Sequence, residues 1–185
     1  MSFGKYILIP IFIAIQAFAL MLVEPYLKTF GEGAGGLVTW VSFQAWAMYF
    51  LAGCTIKMGF KTLAGYLGGI VASVAIFELG DCLAGDAAMG GYWGYAVAVL
   101  IVVVFVISME KVPGFNFVPS WFLGAGVFFG FMGLKGYAQN PDDHNLTVYT
   151  NIAVPELVAC AVGLVYGWVT VTFRTWYEAK VAAAA

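Results

Sequence analysis

The stretch TWVSFQAWAMYFLAG, residues 39–53, decides how this chain is read. It is apolar, rich in aromatic side chains, and short for a membrane crossing, which takes about 20 apolar residues in a helix. A related stretch, SWFLGAGVFFGFM, returns at residues 120–132. Setting Phe43 against Phe122 pairs Ala45 with Gly124, Ala47 with Gly126, Tyr49 with Phe128 and Phe50 with Phe129. Both stretches run Phe, two small residues at alternate positions, then an aromatic pair. That pattern points to two related halves, with these segments facing each other.

Composition sets the class. The 185 residues are 63% hydrophobic and 10% charged, with a mean hydropathy of +0.93, whereas a soluble domain carries about 25% charged residues. So much apolar surface calls for a bilayer as solvent. No polar segment is long enough for a soluble core, and no basic run suggests nucleic acid. Cys54, Cys82 and Cys160 are odd in number and lack CxxC spacing, so they suggest neither a disulfide framework nor a metal cluster. The N-terminal apolar run has no small-x-small cleavage site after it and reads as a retained first helix.

Apolar runs lie at about 6–23, 37–54, 62–80, 92–108, 118–134 and 152–173. The expectation is an all-α, polytopic membrane protein with six transmembrane helices, forming one integral membrane domain over 1–185. Runs two and five are short, suited to an upright crossing or to a broken, re-entrant segment. With six crossings, Lys5, Lys57, Lys61, Lys111, Arg174 and Lys180 share one side, against Lys28 and Lys135 on the other. The positive-inside rule then puts both termini in the cytoplasm. Three crossings per half make the halves, 1–90 and 91–185, candidates for inverted repeats.

Acidic residues gather on the opposite side: Glu24, Glu32, Glu78, Asp81, Asp86, Asp142, Asp143 and Glu156. They read either as solvated helix ends or as an outer vestibule, with Glu78, Asp81 and Glu156 at its mouth. Glu156 follows Pro155, as expected in a first helical turn. Trp40, Trp93, Trp121, Trp176 and Tyr177 fall near run ends, where aromatic belts form. Deeper, Phe43, Trp46, Tyr49, Phe50, Phe122, Phe128 and Phe129 are either membrane core or the lining of a narrow path. Gln16 and Gln44 are the polar groups at depth, as helix–helix hydrogen bonds or as contacts to a solute.

Three small-residue stripes mark close helix packing or an oligomer contact: Gly65 with Gly69, Gly126 with Gly130, and Gly163 with Gly167. A homo-oligomer is expected. His144 is the one histidine. Neither a catalytic motif nor a cofactor or metal signature stands out, so no enzyme is expected.

FQAWAMYFLAGCTIKMGFKTLAGYLGG (43–69) and FVPSWFLGAGVFFGF (117–131) resemble a family of small bacterial six-span inner-membrane proteins of unknown function. The resemblance implies a bacterial-type inner membrane and brings no catalytic or binding residues with it. The leading reading is a channel or facilitator for a small, uncharged solute. The other is a non-transporting scaffold or accessory subunit assembled through its glycine faces.

Overall fold

A computed structural model describes residues 3–27, 38–85, 91–133 and 145–184. Among them every regular element is helical: α1 (Phe3–Tyr6), α2 (Leu8–Leu27), α3 (Val38–Leu51), α4 (Ile56–Gly85), α5 (Gly91–Ser108), α6 (Val118–Gly133) and α7 (Asn145–Ala183), with a 3-10 turn at Met109–Lys111. Each apolar run therefore contains one main helix. Four segments are long and apolar enough to cross a membrane: Phe3–Val23, Ile56–Ala84, Tyr92–Lys111 and Leu146–Ala183. The helices of runs two and five are shorter. The 14 residues of α3 reach about 21 Å and the 16 of α6 about 24 Å, against about 30 Å of hydrocarbon.

Local chemistry explains where α3 stops. Gly53 adopts φ 98°, a left-handed conformation that glycine takes without steric cost. Its N–H reaches the Phe50 carbonyl at 3.1 Å, and the Cys54 N–H reaches Tyr49 at 3.0 Å. This paired closure satisfies carbonyls that a helix end leaves open. One residue later Thr55 caps α4, its Oγ1 accepting from the Met58 N–H at 3.2 Å. On the same side of the molecule Lys61 donates to Asn116 Oδ1 at 2.8 Å, and the Trp121 indole N–H donates to the Phe115 carbonyl at 3.0 Å. At the chain ends Tyr177 donates to the Lys5 carbonyl at 2.7 Å, and Phe12 stacks on Phe173 at 3.8 Å. The first and last helices therefore lie side by side.

Each short helix packs on a long helix other than its neighbour in the chain. α3 packs mainly on α7, and α6 mainly on α4. A Cβ on Gly69 would overlap the Trp121 carbonyl oxygen, and one on Gly163 would overlap that of Ser42. A Cβ on Gly65 would overlap the Ser120 hydroxyl, and one on Gly167 would come within 2.7 Å of Tyr49. Ser42 Oγ donates to the Ala159 carbonyl at 2.9 Å. With no hydrophobic drive between helices in lipid, such backbone approach supplies the cohesion. Around these contacts Val41, Ala45, Tyr49, Tyr66, Ile70, Phe128, Ile152, Cys160 and Leu164 form one buried cluster. Large apolar side chains on α2 and α5, among them Ile15, Phe18, Leu100 and Phe105, face outward, as a lipid-facing surface would.

Candidate functional site

The two short helices flank an open cleft of about 370 Å³. Trp40, Val41 and Gln44 line it from α3, and Leu123, Gly126, Val127, Gly130 and Phe131 from α6. Val41 and Phe131 form a buried floor shared with the central cluster. Gln44 stands halfway along α3, exposed, in a helix otherwise almost wholly apolar. Gly126 and Gly130 have nothing within 4 Å of where a Cβ would stand. So the stripes at 65/69 and 163/167 are consumed by packing within the chain, and the stripe at 126/130 is open.

The aromatic residues divide into two groups. Trp46 and Tyr49 are buried; Phe43 stacks on Trp46, and Trp46 meets Tyr166 edge-on at 5.6 Å. Phe128 is buried and Phe129 half-buried; both lie against Phe77, which also stacks on Tyr149. Phe50 and Phe122 are exposed, at 41% and 53%. None of these seven aromatics lines the α3–α6 cleft. In place of a single aromatic path there are two packed clusters, one between α3 and α7 and one joining α4, α6 and α7.

Gln16 is buried in a helix contact. Its amide donates to the Tyr166 carbonyl at 3.3 Å, and Oε1 accepts from Thr170 at 2.8 Å. This is the helix–helix reading of Gln16, not the solute-facing one. Thr170→Val is expected to lower stability by about 0.6 kcal/mol, the average for such intramembrane bonds. A double-mutant cycle with Gln16→Leu, read by thermal unfolding in detergent, checks it: additive losses would show that the pair does not interact.

Glu78 and Asp81 are exposed near the end of α4. Tyr95 hydrogen-bonds to Asp81, and Tyr149 engages Glu78, so the acidic end of α4 abuts the Phe77 cluster. Glu156 does not join them at a mouth. It is fully buried, 0% exposed, about 16 Å along α7 from Asn145 at 1.5 Å per residue. Pro155 is inside the helix, not at its start. Neither carboxyl oxygen has a hydrogen-bond partner among the described residues, and the same holds for the Tyr66 hydroxyl and the Trp46 indole nitrogen. Tyr66 and Cys160 are the ionisable neighbours of Glu156. Neither was a site candidate in the sequence, where Tyr66 is embedded in a glycine stripe and Cys160 reads as a small apolar residue. Glu32, Asp86, Asp142, Asp143, His144, Lys28 and Lys135 lie outside the described residues, as does the side chain of Glu24. Among the described residues no three His, Cys, Asp or Glu side chains converge on a metal site.

Among the described residues every regular element is helical, and the long apolar helices with outward-facing hydrophobic surfaces are compatible with a multi-pass membrane protein. The chain belongs to the family described as Protein of unknown function (DUF1097), whose model matches residues 7–175. No curated protein and no solved structure matches it.

Proposed function

We propose that this protein is a facilitator in a bacterial-type inner membrane, passing a small, uncharged solute along the cleft between α3 and α6. One observation carries the reading: the two shortest main helices stand either side of the same opening, with the Gln44 amide at mid-height. Helices of about 21 and 24 Å shorten the hydrocarbon barrier that a span of about 30 Å would present, by thinning the bilayer or admitting water. A volume of about 370 Å³ exceeds the ~30 Å³ that a water occupies in the liquid, so a solute of several heavy atoms fits. Gln44 supplies a donor and an acceptor without charge.

In this reading α3 and α6 complete six crossings, with both termini in the cytoplasm. The adjacency of Lys5 and Tyr177 and of Lys61 and Asn116 agrees with the sharing of basic residues on one side. The halves are then inverted repeats. Ser42 and Trp121 are equivalent positions in the Phe43–Phe122 alignment, and their carbonyls receive Gly163 and Gly69 respectively. Each short helix thus sits against the long helix of the other half through matching backbone positions.

In vesicles of bacterial lipid the protein is expected to raise permeability to urea, ammonia or a small alcohol, with formate as the charged comparison. Gly126→Trp fills the cleft without entering a packed helix contact. It should cut that permeability by roughly tenfold, a barrier change of ~1.4 kcal/mol. Permeability no higher than in empty vesicles for every solute overturns the reading.

The second reading is a scaffold that self-associates through α6. It is favoured by the open Gly126–Gly130 face, which would admit another helix closely. Cross-linking of Gly130→Cys protein into dimers in the membrane, in a protein that passes no solute, would select it.

A further inference from the structure

Most buried polar side chains in this protein are engaged. Ser42, Thr62, Ser73, Ser120, Gln16 and Thr170 each hydrogen-bond to a backbone or side-chain partner. Glu156 is the exception with chemical consequence: a carboxyl group at 0% exposure with both oxygens unpartnered among the described residues, and its neighbour Tyr66 has a phenol that is likewise unpartnered among them. We propose that Glu156 and Tyr66 form a proton-binding site inside the membrane domain. The site is separate from any solute in the α3–α6 cleft, and the inference does not rest on the transport reading.

The surroundings select the ligand. An ionisable side chain within a membrane segment marks an ion or proton pathway by default. Among the described residues no cation pairs with this carboxylate. Lys61 is engaged with Asn116, Arg174 pairs with Glu178 at 2.9 Å, and Lys57 is at the start of α4. From the packed elements, α4 presents Tyr66 and α7 itself presents Cys160. α3 contributes only Tyr49 as an ionisable residue and α6 none, as is true of the described side chains of α2. One carboxyl and one phenol are too few oxygens for calcium, which takes 6–8. A proton needs only one.

Protonation puts hydrogen on one Glu156 oxygen and leaves a neutral carboxyl; the Tyr66 hydroxyl, not hydrogen-bonded to it, acts on the carboxyl electrostatically from nearby. Pro155 adds a second feature. It has no N–H, so the Asn151 carbonyl lacks its helical donor one turn away.

Dicyclohexylcarbodiimide, which enters apolar interiors and couples to protonated carboxyl groups, tests the site in the full-length protein in lipid vesicles. Mass spectrometry is expected to find the adduct on Glu156. Its yield should follow a one-proton titration, falling about tenfold per pH unit on the alkaline limb. Glu156→Gln should lose the adduct while remaining folded by circular dichroism. Tyr66→Phe should keep the adduct but move the midpoint, which a purely structural tyrosine would not do. Sodium or potassium chloride at fixed pH should leave the yield unchanged. No adduct at any pH, a yield independent of pH, an unmoved midpoint in Tyr66→Phe, or protection by sodium each overturns the proposal. None of these readings requires a transported solute, so they stand apart from the permeability result.

Discussion

Gly163→Val protein is expected not to accumulate as a folded species, whereas Gly126→Val protein should accumulate like the parent. At Gly163 the first added carbon would collide with the Ser42 backbone carbonyl, and backbone cannot swing aside as a flexible side chain can. Relief requires α3 and α7 to separate, which breaks the Ser42–Ala159 hydrogen bond and opens the central cluster. Ordinary overpacking costs about 1–3 kcal/mol, and backbone collision belongs at or beyond the upper end. Total stabilities of about 5–15 kcal/mol leave little margin for that loss. Gly69→Val should fail similarly, through the Trp121 carbonyl. Yield in the membrane fraction and monodispersity in detergent measure both. Equal yields for the positions 163 and 126 variants would mean that α3 does not lie where it is described.

Glu156→Leu should make the protein more stable. The carboxyl group is buried without partners, a cost of about 1–3 kcal/mol that a leucine of similar size avoids. At about 2–4 °C per kcal/mol for a chain of this size, the melting temperature should rise by several degrees. Glu156→Gln retains unpaired polar atoms and should gain less. Stability bought by removing a functional group is a familiar exchange, so the leucine variant should also lose the carbodiimide adduct. Melting in detergent, followed by circular dichroism, decides the sign. A clear loss of stability would mean that the carboxyl has a structural partner.

The positions of the helices were legible because hydropathy reports apolar length. Runs two and five became α3 and α6 with edges within a few residues: 37–54 against Val38–Leu51, and 118–134 against Val118–Gly133. Hydropathy does not report where helical hydrogen bonding ends. α4 therefore begins earlier than its run, through Lys57 and Lys61, and α7 continues past Arg174 to Ala183, where the Arg174–Glu178 pair supports a solvated turn. The Pro155–Glu156 pair points to a helix start, and so to a mouth, because proline so often opens a helix. Inside a membrane protein a mid-helix proline is tolerated where neighbours satisfy the backbone, and only tertiary context separates the cases. The aromatics failed differently. Lipid and protein core are equally apolar, so Phe50 and Phe122 could not be told from Trp46 and Phe128 by sequence period. The glycine stripes on α4 and α7 are visible in the sequence as faces for packing or for an oligomer contact, but nothing in their spacing says that α4 receives α6 and α7 receives α3.

That pairing constrains how the protein is made. As α3 and α4 leave the ribosome, the groove on α4 has no occupant and the face of α3 has no groove, because α6 and α7 are not yet translated. α3 must therefore wait undocked until the last helix arrives. The α4–α6 contact can close as soon as α6 is made, whereas α3 finds its groove only with α7, so an interruption of synthesis before α7 leaves α3 without its packing partner.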